Sequence, residues 1–215
     1  MEFMLKSLQL TQNDIIKKVS QGIRSFQHMF FVKGRYCKLN LDGINFLGSN
    51  FREAFLDYCS FVKADLEMVH CNGVDARNVN FLKAKMDGAR MWMASLIGCN
   101  FQEAMMRYVW AIEANFRGSS FSKADLSGSN LAGVDFSDAD LTGTNLSNTD
   151  LTSARFTGAR LCGTILNGAQ LFGADFRGIA ELSDIKIDGR TAYLKSRWDH
   201  DMEDYLAAQL SPNHA

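Results

Sequence analysis

Proline is almost missing from this chain: one residue in 215, Pro212, close to the C-terminus. A proline-rich spacer between domains is therefore excluded ahead of it, and the length suits one domain with end pieces. An excess of either charge is also lacking. The formal net charge is −1, so nothing in the composition calls for nucleic acid or an acidic membrane as partner. No apolar run nears the ~20 residues of a membrane span. No charged-then-apolar stretch reads as a cleavable leader. Histidine is scarce, and His28, His70, His200 and His214 are not spaced with cysteine as a metal set. His70 reads as a solvated side chain on an outer face. Asp199, His200, Asp201, Glu203 and Asp204 cluster, but as the charged first turn of a helix rather than a cation site. With no phosphate loop and no nucleophile motif, the expectation is a protein with no catalytic residues, no metal and no cofactor.

What the chain has instead is a five-residue period. From Phe31 to Phe176 every fifth residue is apolar: thirty positions, among them eleven Phe and twelve Leu. Two places earlier the residues are small, as in Ala54, Ala64, Ala124 and Ala174. One place earlier Asp or Asn fills fifteen of the thirty positions, and two places later sit fourteen of the seventeen glycines. A period kept over this length identifies a repeat architecture.

Neither common period explains it. On a helix, residues five apart spiral over all faces; on a strand, alternate members of the set point to opposite sides. The pattern works if each unit forms one short extended side and then turns a corner. The apolar centre and the small residue two before it then both point inward. Glycine supplies the positive φ of a type II corner. Four sides close a coil of twenty residues, and coils stack at roughly 4.8 Å. The expected fold is an all-β solenoid of seven to eight coils.

The units Ala124-Asp125-Leu126-Ser127-Gly128, Ala139-Asp140-Leu141-Thr142-Gly143 and Ala174-Asp175-Phe176-Arg177-Gly178 carry a resemblance. They resemble the pentapeptide-repeat family, whose consensus is A(D/N)LXX. That resemblance implies a right-handed quadrilateral β-helix and a bacterial source. It says little about activity, because one fold hosts many functions.

Three segments follow. Residues 1–28 lack the period; Asn13 or Asp14 caps a helix through Ile15, Ile16 and Val19 that covers the first coil. Residues 29–180 form the coil. Residues 181–215 contain an alternating stretch from Leu182 to Gly189, suited to one last strand, and a helix from Asp199 to Leu210. Met202, Tyr205, Leu206 and Leu210 form its apolar stripe. The stripe suits a cap on the last coil or a contact with a second copy, and homodimerisation through this end is what the resemblance to gyrase-acting relatives implies. Cys59, Cys71 and Cys99 fall on inward positions. Cys59 and Cys99 share a column two coils apart, too far for a disulfide. A reducing cytoplasm is the expected location.

The repeats differ in quality. From 114 to 178 they are close to consensus, with short polar outward residues. In the middle, Arg90, Trp92 and Met93 fall directly beneath Trp110, Ile112 and Glu113. Trp92, Trp110 and Ile112 point outward, Met93 and Tyr108 take the corners beside them, and Arg90 meets Trp110 as a cation–π pair. Trp, Tyr, Met and Arg are enriched at interface centres. The reading is a rigid, non-catalytic interaction module that presents this face to a protein partner. The alternative is a gyrase-directed DNA mimic like the quinolone-resistance members of the family. Those members usually carry loops that break the coil, and several are strongly acidic. Here residues 31–180 run without insertion and their charges balance to zero. The acidic spot at Asp135, Asp138, Asp140 and Asp150 lies below Arg155 and Arg160 one coil on. A duplex mimic needs a sustained line of negative charge.

Overall fold

The computed structural model describes residues 9–193 and 195–199. From Ser25 onward every fifth residue forms a parallel bridge with the residue twenty positions later, from Ser25 with Asn45 to Arg155 with Asp175. Four ladders of single bridges therefore run along the molecule, one for each side of a twenty-residue coil. The solenoid is built of one-residue bridges and corners. All thirty centre residues are buried.

The corner follows from local hydrogen bonding. In a typical unit the Ala54 N–H closes a four-residue turn on the Phe51 carbonyl at 3.0 Å. Its third residue, Glu53, has φ 55°, as a type II turn requires. Glycine is preferred there but not obligatory: Lys63, Met93 and Tyr108 hold the same conformation at φ 55°, 53° and 57°. Ladder bonds on both sides of the corner fix it, so a side chain is held in a region it would otherwise avoid.

The Asp and Asn before each centre have a defined task. Their Oδ1 accepts the N–H two residues on, as from Asp125 to Ser127 at 3.0 Å and from Asp150 to Thr152 at 2.9 Å. This Asx turn satisfies a backbone donor that has no ladder partner. Inward hydroxyls are satisfied as well: Ser119, Thr144 and Thr164 each donate at 2.8 Å to a carbonyl 23 residues earlier. The interior is otherwise apolar. Phe61, Phe81, Phe101 and Phe121 stack in one column at 5.4, 4.9 and 4.8 Å between centroids.

Both ends depart from the expected pattern. Helix α1, Gln12–Ser20, is capped by Thr11 rather than by Asn13 or Asp14. Thr11 Oγ1 accepts the Asp14 N–H at 3.2 Å, and Asp14 Oδ2 accepts the Thr11 N–H at 2.9 Å. This reciprocal pair outcompetes a lone cap. Ile15 of α1 is buried, beside Leu39 and Leu41. The period itself reaches back to Ser25 and buried Phe26. At the other end the five-residue phase stops at Gly178 but the coil does not. Arg160 pairs with Glu181 and Ile165 with Lys186, 21 residues apart; Gln170 pairs with Ala192 and Asp175 with Arg197, 22 apart. Two single-residue additions thus hide a further coil from a strict count of five. The stretch expected as a last strand is one side of that coil. Trp198 follows Arg197 as its centre and stacks on Phe176 at 3.8 Å and 4°. The expected C-terminal helix and its stripe, Met202, Tyr205, Leu206 and Leu210, lie outside the described residues.

Candidate functional site

One side of the coil presents Arg90 bridged to Trp110. Trp92 and Trp110 are 53% and 57% exposed, on adjacent coils. Arg90 and Trp110 stand where consensus repeats carry Asp or Asn, so the in-unit Asx turn is lost there. At Trp92 the missing acceptor is replaced from below: Asn72 Oδ1 takes the Trp92 N–H at 3.1 Å. The same device recurs where Ser60 and Met105 displace the Asx residue. Asp42 takes the Val62 N–H and Asp87 the Arg107 N–H, both at 2.9 Å. An Asp or Asn one place after a centre therefore frees the outward position one coil later.

Between these side chains lies a groove of about 470 Å³ lined by Asn72, Arg90, Trp92, Trp110 and Ile112. Four of the six residues expected at the site line it. Met93 and Tyr108 do not; they stand exposed on the flanking corners. The Tyr108 ring leans onto the next coil, where a Cβ on Gly128 would meet it at 2.6 Å. Asn72 is the lining residue that the outward-aromatic pattern missed. Its signal is an Asx residue after a centre, twenty places before a unit that lacks one.

The expected Arg90–Trp110 cation–π contact is not formed. Among the described residues such contacts join Arg35 to Phe55 at 4.5 Å and Lys195 to Phe172 at 5.3 Å. Bridge pairing alone does not decide the contact, since Arg35 and Phe55 are bridge neighbours as well; Arg90 lines the groove instead. His70, one coil below Arg90, is half-buried rather than fully solvated. Burial, then the charges of Arg90 and Arg52, hold its imidazole below the usual range.

The acidic spot is less neutralised than expected: of Asp135, Asp138, Asp140 and Asp150 only Asp138 forms an ion pair among the described residues. Asp135 bridges Arg155 and Asp140 bridges Arg160, yet the ion pairs form elsewhere. Arg117 reaches Asp138 at 2.9 Å and Arg160 reaches Glu181 at 2.7 Å. Asp135 and Asp140 already accept N–H groups of Ser137 and Thr142.

Burial pushes the Cys59 thiol up to about 11 and those of Cys71 and Cys99 to about 12, so all three are protonated at neutral pH. Among the described residues the five cysteines are unpaired, no cluster of His, Cys, Asp or Glu is arranged to hold a metal, and no helix is long and apolar enough to cross a membrane.

A family model described as pentapeptide repeats matches in eight copies, over residues 38–67, 56–92, 69–103, 112–148 and 139–178. The chain belongs to the pentapeptide repeat family. Solved pentapeptide repeat structures are similar to it. HetL, involved in heterocyst differentiation regulation in the cyanobacterium Nostoc sp. strain PCC 7120, is 19% identical, with 88% of this chain and 95% of that chain covered and a TM-score of 0.37. A pentapeptide repeat protein of the Arabidopsis thaliana thylakoid lumen is 26% identical, covering 60% of this chain and 79% of its own, at a TM-score of 0.45. A trypsin-treated form of QnrB1, a plasmid-mediated fluoroquinolone resistance protein, is 21% identical, covering 82% and 97%, at 0.44. At such identities and TM-scores none of them transfers an activity or a partner to this pentapeptide repeat chain. No curated protein matches it.

Proposed function

We propose that this pentapeptide repeat protein is a non-catalytic interaction module that docks a protein partner on the face of Trp92 and Trp110. The observation that carries the reading is the groove between two exposed tryptophans on adjacent coils. The ladders fix the backbone beneath both rings, so docking spends little free energy on ordering this side. In this reading the frame is a right-handed quadrilateral β-helix, one coil longer than the seven to eight expected from the five-residue phase. In it the residues before Ser25 cap the start, the rod runs from Ser25 through Trp198, and the residues beyond close the far end or join a second copy. The unpaired cysteines suit a reducing cytoplasm. The gyrase-directed alternative is weakened by the unbroken ladder and by the pairing of Asp138 with Arg117.

The test is affinity capture from native-host extract with the full chain and with its Trp92→Ser/Trp110→Ser variant. At least one protein should be retained by the first and lost from the second. Identical captured sets would remove this face from the function.

A further inference from the structure

The groove is one-sided in its hydrogen-bonding chemistry. Its backbone carbonyls are each already engaged by the ladders: those of Asn72, Arg90, Trp92, Trp110 and Ile112 accept from Glu53, Cys71, Gly73, Met91 and Met93 at 2.6–3.0 Å. The Asn72 Oδ1 is taken by the Trp92 N–H, which leaves its Nδ2 as a donor. The guanidinium of Arg90 has no acidic partner among the described residues. Both indole N–H groups and the Ile112 N–H likewise donate to no protein acceptor among them. What remains is a set of donors and one positive charge set among apolar rings.

Resting on the docking reading above, we infer that the groove takes an acidic, apolar peptide segment of another protein, with an Asp or Glu carboxylate on Arg90 beside a large apolar side chain between Trp92 and Trp110. Charge complementarity selects the carboxylate, because a basic or donor-rich segment would leave Arg90 opposed and the donors unpaired. The apolar surround strengthens that pair relative to water. Nucleic acid fits less well. A phosphate chain needs cations at regular intervals, and along this side Arg52 stands next to Glu53 while the coils beyond Arg90 carry Glu113 and Asp150.

The experiment selects randomised twelve-residue peptides displayed on phage against the immobilised full chain, then titrates the strongest binder as a fluorescein-labelled synthetic peptide. The selected peptides should carry Asp or Glu next to Leu, Phe or Trp. Changing those acids to Asn and Gln should weaken binding by about tenfold or more. Arg90→Glu should reverse the preference towards Lys and Arg. Binders that need Trp92 and Trp110 but are neutral or basic would overturn the acidic inference and leave the docking face standing. No binders, or the same sequences selected by a folded Trp92→Ser/Trp110→Ser variant, would overturn both. Comparable binding of a twelve-nucleotide oligothymidylate would assign the groove to nucleic acid and overturn the inference. A full chain with Asp201, Glu203 and Asp204 changed to Ser should bind the acidic peptide as the wild type does. A tenfold gain there would make the chain's own C-terminal segment the occupant and overturn it too.

Discussion

The coils around Arg90 and Trp110 and those after residue 114 share an interior and differ outside. Met86, Met91 and Ala111 are as completely buried as Leu141, Leu146 and Leu151. Outside, the units from Asn115 to Asp150 repeat one solution, Ser120 apart: an Asx residue binds the N–H two places on, and short hydroxyl side chains face water; after Asp150 the position passes to Arg155, Arg160, Ile165 and Gln170. The middle coils give that position to His70, Lys85, Arg90, Met105 and Trp110. Two of the freed N–H groups are recovered from the coil below, by Asn72 and Asp87. The difference teaches that the inward pair of each unit specifies the coil, while the outward residues vary whether or not the freed N–H finds another acceptor. An exposed aromatic face is then gained without loss of core.

The largest effect that tests this division is in the interior. Leu131→Ala in a consensus coil and Met91→Ala in a middle coil should each cost about 2–5 kcal/mol, because both centres are fully enclosed. The middle coil should sit at the lower end, since a void of about 10 Å³ already lies beside Cys71, Met86 and Met91. Ser127→Ala should stay within about 0.5 kcal/mol. Equal costs for Ser127 and Leu131 in a denaturant titration would show that inward and outward have been confused.

Next in size is the outer face. Replacing Trp92 and Trp110 together with Ser should weaken partner binding by more than ~2 kcal/mol if they are central anchors. The denaturant midpoint should barely move, because neither ring fills the core. A double variant that unfolds at markedly lower denaturant, yet binds normally while folded, would make the tryptophans structural and erase the contrast between the two regions.

Much of this was legible in residue spacing. The inward register can be read from Phe31 to Phe176, because an apolar residue every fifth place admits few geometries. The outward tryptophans follow from the same register. Three things were hidden, each for a physical reason. The coil through Glu181 and Arg197 was lost because single added residues bulge at corners without breaking the ladder, so Trp198 did not announce itself as a stacked centre. Thr11 gives a weak signal because its partner is Asp14, not the usual Glu or Gln of a capping box. Asn72 carries no local signal because its bond runs to the next coil, twenty residues on. The partners of Asp138 and Arg160 escaped for a similar reason: long side chains choose by reach, not by bridge register.

A smaller effect isolates the backbone donor. Asp140→Ala removes an in-unit acceptor and Asn72→Ala an inter-coil one, and each should cost about 0.5–1.5 kcal/mol. Arg90→Asn should rescue Asn72→Ala but not Asp140→Ala, since it restores the consensus acceptor for the Trp92 N–H. Amide exchange at Trp92 reads this directly. Fast exchange in the single variant and slow exchange in the double is expected; no rescue would mean that the two Asx devices are not interchangeable.

The smallest effect is electrostatic and belongs to the middle coils alone, for no histidine occurs between His70 and His200. His70 is half-buried, and burial, then Arg90 and Arg52, depress its proton affinity. In the unfolded chain it titrates near its ordinary value of about 6.5. Between that value and the lower folded one, the unfolded state binds more protons, so acidification favours unfolding. The stabilising contribution is present above pH ~6.5 and is lost as the pH falls through the folded value. Carboxylates titrate lower and add their own slope, so the useful quantity is the difference between wild type and His70→Gln. From pH 8 to pH 5 that difference should turn against the wild type. Arg90→Gln removes one of the causes and should shrink it. A wild type that gains on His70→Gln as the pH falls would mean that His70 meets an acid rather than two arginines, and that the groove's charge has been assigned the wrong sign.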